Sequence, residues 1–209
     1  MLDIERAKSW YPAGDATHGF SHIQRVYDLC EQLAREAGEG DLDILRAAAL
    51  LHDVEGTAEG RGGHQLAAAE FARQILEEEG WEEDDIQAVE HCIRAHRFRE
   101  QREPPRTLEA KILFDADKLD AIGAVGVIRA LAFAVQQGTP VYQLPSRSFL
   151  AGNGREPGEP HTPFHEYHYK LRHLAGMLHT KAGKRLAQER HRVMANFFRQ
   201  LRRELDGAS

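Results

Sequence analysis

The chain has 209 residues, of which 42% are hydrophobic and 29% charged, and a formal net charge of -6. That length suits one ordinary domain, and the composition excludes a disordered chain. The acidic balance argues against a dedicated nucleic-acid or anionic-membrane surface, since both need a basic excess. Two cysteines, Cys30 and Cys92, form neither a disulfide framework nor a CxxC metal knuckle. The opening stretch "MLDIERAKSWYP" has no apolar core or cleavage site of a leader. The longest apolar tract, Ala121 to Val135, is broken by Arg129 and falls short of the ~20 residues of a membrane helix. A cytoplasmic protein in a reducing compartment is the expectation.

Helical period dominates. In "SHIQRVYDLCEQLAREAG", Ile23, Val26, Tyr27, Cys30, Leu33, Ala34 and Ala37 follow the i, i+3, i+4, i+7 pattern, closed by Gly38. Asp41 is placed to cap a second helix that carries Leu42, Leu45, Ala48, Ala49 and Leu51 up to His52-Asp53. A third helix is predicted from His64 to Glu79, ended by Gly80. A fourth runs through "EEDDIQAVEHCIRAHRF", with acidic residues in its first turn. After "EPPR" and a capping Thr107, one long helical pattern extends from Leu108 to about Gln136. The stretch Gly138 to Pro163 holds five of the eight prolines, so it reads as a long loop and a possible substrate lid. From Pro163 to Leu205 two helices are expected, with a break near His179-Thr180. No alternating strand pattern occurs, so the fold class is all-α.

The chemistry concentrates in a few polar residues on apolar helices. His52 and Asp53 end the run "AAALL", and Asp115, Asp117 and Asp120 of "DADKLD" sit between "AKILF" and "AIGAVGVIRALAF". Carboxylates crowded into an apolar segment repel one another and need a cation to stay ionised. Adjacent helical residues point about 100° apart, so His52 and Asp53 can reach one ion over the helix groove. One more histidine from an earlier helix and one aspartate from a later one complete a set of two imidazoles and two carboxylates. Such mixed N/O ligation suits Mn, Fe, Co, Ni or Zn rather than Ca. Each residue taken alone has an ordinary explanation, whether a cap, a solvated face or a chance dipeptide.

The ordered set His22, His52-Asp53 and Asp117 resembles the HD-domain superfamily of metal-dependent phosphohydrolases, in particular its small single-domain bacterial branch that acts on nucleotides. The stretches "HGFSHIQRVYDL", "AALLHDVEG", "IRAHRF", "ILFDADKLDAIGAVGVIRALAF" and "HYKLRHLAGMLHTKAGKRLAQERHRVMANFF" carry the likeness over nearly the whole chain. The resemblance implies a single compact helical domain over residues 1–209 with a central metal site, residues 164–209 packing as C-terminal helices on the core. It implies His22, His52, Asp53 and Asp117 as ligands of a divalent metal ion, Mn first, with Co, Ni, Fe, Zn or Mg as alternatives. Asp117 is preferred to Asp115 because the family ligand aligns with the middle carboxylate of D-x-D-K-x-D.

The implied reaction is hydrolysis of a phosphoester or phosphoanhydride bond of a nucleotide or other small phosphate ester. Cleavage of a (d)NTP to (d)NMP and pyrophosphate is favoured. A 5'-nucleotidase acting on (d)NMP and a catalytically silent metal- and nucleotide-binding module stay open as alternatives, as does a structural bundle whose His and Asp pair with each other. Asp120, Glu55 and His96 are the candidates for positioning water or moving protons. Lys118, Arg25 and Arg97 are placed to offset phosphate charge, although Arg97 departs from the small polar residue that follows this histidine in the branch. His64 either reaches the substrate or merely begins a helix. His91 reads as a partly buried ordinary histidine more than a second-metal ligand. A homodimer is one option for the assembly.

Overall fold

The computed structural model describes residues 2–11, 19–54, 64–97 and 103–207. In chain order the helices are α1 (Ile4–Lys8), α2 (Phe20–Ala37), α3 (Leu42–Leu51), α4 (His64–Glu78), α5 (Glu83–Ala95), α6 (Leu108–Asp120) and α7 (Gly123–Gln136). There follow α8 (Arg147–Leu150), α9 (Pro163–Glu166), a π-helical turn (Tyr167–Leu171), α10 (Arg172–Leu174) and α11 (Lys181–Leu205). No strand occurs among the described residues, and the fold is all-α.

The chain divides into two units. The first comprises Met1–Lys118 with Leu178–Gly183; the second comprises Leu119–Met177 with Lys184–Ser209.

In the first unit α3 is the hub, with α1, α2, α4 and α5 all packed against it. The reason lies in its composition. Ala47, Ala48 and Ala49 are fully buried, and such small side chains let neighbouring helices approach closely, while Leu45, Leu50 and Leu51 fill the space between them. Ile23 and Leu33 of α2, Leu76 of α4, and Ile86 and Ile93 of α5 complete this core. Each such side chain gains about 1.5–3 kcal/mol from leaving water. The ends are set locally. Asp41 accepts hydrogen bonds from the Asp43 and Ile44 amides at 2.9 and 3.1 Å, and Gly38 stops α2 with φ 72°.

The expected helix from Leu108 to Gln136 is interrupted within the second unit. Ile122 is extended and Gly123 adopts φ 78°, so α7 starts afresh there. Left-handed backbone is open to glycine at little cost, and hydrophobic period alone does not register it. The loop from Gly138 to Pro163 is organised around one carboxylate. Glu159 accepts from the Ser146 amide at 2.6 Å, the Ser146 hydroxyl at 2.8 Å, the Glu156 amide at 2.7 Å and His165 Nε2 at 2.8 Å. Burial alone would raise this carboxyl, but the donors outweigh it and bring it down to about 2. The expected break near His179-Thr180 is present, followed by the 25-residue α11.

Candidate metal centre

α2, α3, α5 and α6 each deliver part of one cluster in which His22, His52 and His96 are buried and Asp53, His64 and Asp117 half-buried. His22 lies in the first turn of α2, and Asp117 in the last turn of α6. His52 is the residue that ends α3, and His96 holds the same position at the end of α5. The two ends are built alike. His52 Nδ1 lies 2.9 Å from the Ala49 carbonyl and His96 Nδ1 lies 2.5 Å from the Ile93 carbonyl, each reaching three residues back. A ring whose Nδ1–H donates to a carbonyl keeps its lone pair on Nε2. Both Nε2 atoms therefore act as acceptors or ligands.

Two trios of ligand atoms result, each with all atoms within 4.8 Å of one another: His22, His52 and Asp117, and Asp53, His64 and His96. Asp53 joins them. Its Oδ2 lies 3.8 Å from His22 Nε2, while its Oδ1 lies 3.4 Å from His64 Nε2 and 4.0 Å from His96 Nε2. His22 Nε2 is also 3.5 Å from Asp117 Oδ1. The other Asp117 oxygen accepts from Lys118 Nζ, which donates in addition to the His96 carbonyl at 2.8 Å.

The charges are consistent with a site prepared for a cation. Burial would push the Asp53 carboxyl up, but the His64 hydrogen bond and the imidazoles of His52, His96 and His22 outweigh it and hold it well below the usual range. Asp117 behaves likewise: against burial, Lys118 and the histidines hold it far below its ordinary value. Burial, with His52 beside it, brings His96 down to about 3. Ionised Asp53 and Asp117 thus face the His96 imidazole, which burial keeps neutral, and ionised carboxylate with neutral imidazole is the protonation state a metal requires. His52 Nε2 is buried and has no hydrogen-bond partner. Such an orphan is rare in a folded interior and fits a position kept for an ion.

Asp115 and Asp117 divide sharply. Residues two apart on a helix point about 200° apart, so the two carboxylates face opposite ways. Asp115 is fully buried and accepts from the His179 amide at 2.8 Å, and from the Thr180 amide and hydroxyl at 2.7 Å each. It holds the start of α11. Asp120, expected near the reacting water, is buried in the second unit with Arg129 donating to it at 2.7 Å. Arg25 is half-buried on α2. Arg97 donates to the buried Gln65 at 2.6 Å. Both nitrogens of His91 are engaged, Nδ1 with Glu103 at 2.6 Å and Nε2 with the Arg106 amide at 3.1 Å, so it fastens the chain after α5. Glu55 lies outside the described residues. Sequence reasoning did not single out Tyr11, a buried residue whose hydroxyl donates to the Leu50 carbonyl at 2.7 Å and whose phenol is pushed up by burial and by Asp53. A charged N-terminal stretch with one tyrosine gave no signal for it.

A fold with this hub and these paired His and Asp positions is that of an HD-type protein, and comparison bears this out. Residues 19–122 match the HD domain family. YpgQ from Bacillus subtilis, an uncharacterized protein, is 32% identical over 99% of this chain and 96% of its own length. The crystal structure of B. subtilis YpgQ in complex with ADP superposes with a TM-score of 0.75 at 29% identity, covering 99% of this chain and 100% of that one. A Lactobacillus plantarum protein gives 0.77 at 30% identity, with 98% and 95% covered. An HD-superfamily hydrolase from Bacillus thuringiensis gives 0.67 at 26% identity, with 97% and 96% covered. The chain belongs to the HD-domain family. No single helix among its described residues is long and apolar enough to cross a membrane.

Proposed function

We propose that the protein is a divalent-cation-dependent phosphohydrolase acting on a nucleotide, with cleavage of a (d)NTP to (d)NMP and pyrophosphate as the favoured reaction. The observation that carries this is the constellation in which ionised Asp53 and Asp117 face the neutral His96 and the buried His52 Nε2, an atom with no hydrogen-bond partner. The ADP held by YpgQ supports a nucleotide as ligand.

In this reading His22, His52, Asp53 and Asp117 hold the cation, Mn first among Co, Ni, Fe, Zn and Mg. A bound cation supplies Lewis-acid polarisation of a phosphoryl oxygen and a lowered pKa for water. Asp53, His64 and His96 would hold a second cation. His64 then acts as a ligand, not as a substrate contact, and His96 likewise, in place of a proton-transfer role. Lys118 keeps Asp117 ionised and fixes the end of α5 through the His96 carbonyl. Arg25 and Arg97 remain the proposed phosphate contacts from this half of the chain. The thiols of Cys30 and Cys92 are buried and raised, Cys92 to about 12, so neither is a nucleophile at neutral pH. That is compatible with the reducing cytoplasm we assign.

Turnover of a panel of nucleoside mono-, di- and triphosphates with Mn, Co, Ni and Mg in turn, read as phosphate against pyrophosphate, tests the proposal. Pyrophosphate from triphosphates is expected. Phosphate from monophosphates would instead make the protein a nucleotidase. Absence of turnover with a loaded metal would leave only a binding module.

A further inference from the structure

The second unit contains a pocket of about 520 Å³ formed by the loop around α8 and by the π-helical turn with α10. That volume lies within the range of small-molecule sites, roughly 300–1,000 Å³. Its chemistry is one-sided. Arg155, Arg172, His161 and His168 line it, and no carboxylate among the described residues does.

The two arginines are held by a main-chain carbonyl and by imidazoles. Arg155 donates to the Glu159 carbonyl at 2.9 Å. Arg172 lies 3.0 Å from His173 Nε2 and 3.1 Å from His168 Nδ1. No carboxylate among the described residues pairs with either guanidinium. The acids nearby are occupied elsewhere: Glu159 by the loop donors described above, and Glu166 by His161 at 2.8 Å and Lys170 at 3.6 Å. Burial and the positive charges of Arg172 and Arg202 keep the His168 imidazole down and therefore neutral. It can thus accept from Arg172 and leave its second nitrogen to donate.

The remaining wall is aromatic. Phe149 stacks edge-on against His165 with ring centroids 4.5 Å apart, and Tyr169 is 58% exposed. Tyr169 and His168 sit on the π-helical turn, a distortion that recurs at functional sites because it re-aims side chains. Two arginines lining one pocket with an exposed ring suit a ligand with a phosphate chain and a flat aromatic head.

We propose that this pocket binds a nucleoside polyphosphate, with Arg155 and Arg172 on the phosphates and Tyr169 against the base. The proposal does not depend on the cation site, and its test avoids that site. ADP, adenosine and inorganic pyrophosphate are titrated calorimetrically into full-length protein held in EDTA, both wild type and Asp117→Asn. ADP is expected to bind both, and more weakly as salt rises. Adenosine is expected to bind at least tenfold more weakly, and pyrophosphate also more weakly than ADP. The exposed pair Arg155→Ala/Arg172→Ala should weaken ADP about tenfold or more, since a hydrogen bond to a charged group is worth roughly one decade. Tyr169→Ala should abolish the preference for ADP over pyrophosphate. Circular dichroism checks that each variant is folded, and Arg155→Lys/Arg172→Lys retains the charge if the alanine pair is not. ADP that fails to bind in EDTA, or binds the alanine pair as tightly as wild type, overturns the proposal. Equal affinity for pyrophosphate and ADP overturns the base contact. A negative turnover panel would defeat the hydrolase reading and leave this result untouched.

Discussion

Gly183 offers a test in which two physical effects carry opposite signs. It lies in the first turn of α11, where alanine is favoured over glycine by about 1 kcal/mol on helix propensity. A Cβ there would fall 2.3 Å from Asp115 Oδ2, 2.9 Å from Asp115 Cγ and 2.8 Å from Thr180 Oγ1. To restore ordinary contact the carboxylate must retreat by about 1 Å, and it is not free to do so. It accepts three hydrogen bonds at 2.7–2.8 Å in a fully buried position. Overpacking costs about 1–3 kcal/mol. Weakening one bond to a buried charge adds about 1.5–3 kcal/mol. After the propensity gain, Gly183→Ala should destabilise the protein by about 1.5–5 kcal/mol, a fall in Tm of roughly 3–20 °C for a chain of this length. Urea denaturation followed by circular dichroism, with a thermal scan beside it, measures this. The companion is a double-mutant cycle: with Asp115→Ala already in place, adding Gly183→Ala should cost nothing or stabilise. A Gly183→Ala protein as stable as wild type in the parent background would refute the close approach of this helix to Asp115.

Further outcomes follow from the cluster. Asp115→Asn should lower stability by about 1–3 kcal/mol while leaving metal content intact, whereas Asp117→Asn should lose metal with little loss of stability; metal analysis and urea midpoints on the same samples separate the two. His64→Ala should reduce bound Mn from two per chain to one, and a ratio of one in wild type would remove the second position. Mn at a hundredfold excess over Kd should raise the unfolding free energy of wild type, measured by urea denaturation, by about 3 kcal/mol for each occupied site, and the share of the site that His52 serves should vanish in His52→Ala. In EDTA, stability should fall as pH drops from 7 to 5. His96 binds its proton near 6.5 when unfolded and only near 3 when folded, so below 6.5 the unfolded chain holds the extra proton and gains up to about 1.4 kcal/mol per pH unit. The depressed carboxyls of Asp53 and Asp117 act in the same direction below about 4. A urea midpoint that is flat from pH 7 to 5 would show that His96 is not buried in its neutral form.

Much of this was legible in the residues. Gly38 and Asp41 mark the end of α2 and the start of α3 because glycine stops and aspartate caps act within one turn. The HD-domain family was legible in the order of His22, His52-Asp53 and Asp117. The break at Ile122-Gly123 was not, since "AIGAVG" stays apolar across it and period carries no record of a left-handed residue. The grouping of His64 and His96 with Asp53 was not either. It depends on where α4 and α5 pack against α3, and no spacing along the chain encodes that. The opposed directions of Asp115 and Asp117 follow from helix geometry alone, while the partner each one meets is a matter of tertiary packing.

The paired helix ends have a mechanical consequence. One bond from each ring, to Ala49 or to Ile93, both finishes a helix and fixes where its imidazole points. Ligand aim is thereby inherited from main-chain geometry, without a dedicated side chain to steer the ring. Asparagine at either place could keep the bond to the carbonyl through its amide N–H while losing the ligand nitrogen, whereas an aliphatic residue would lose both at once.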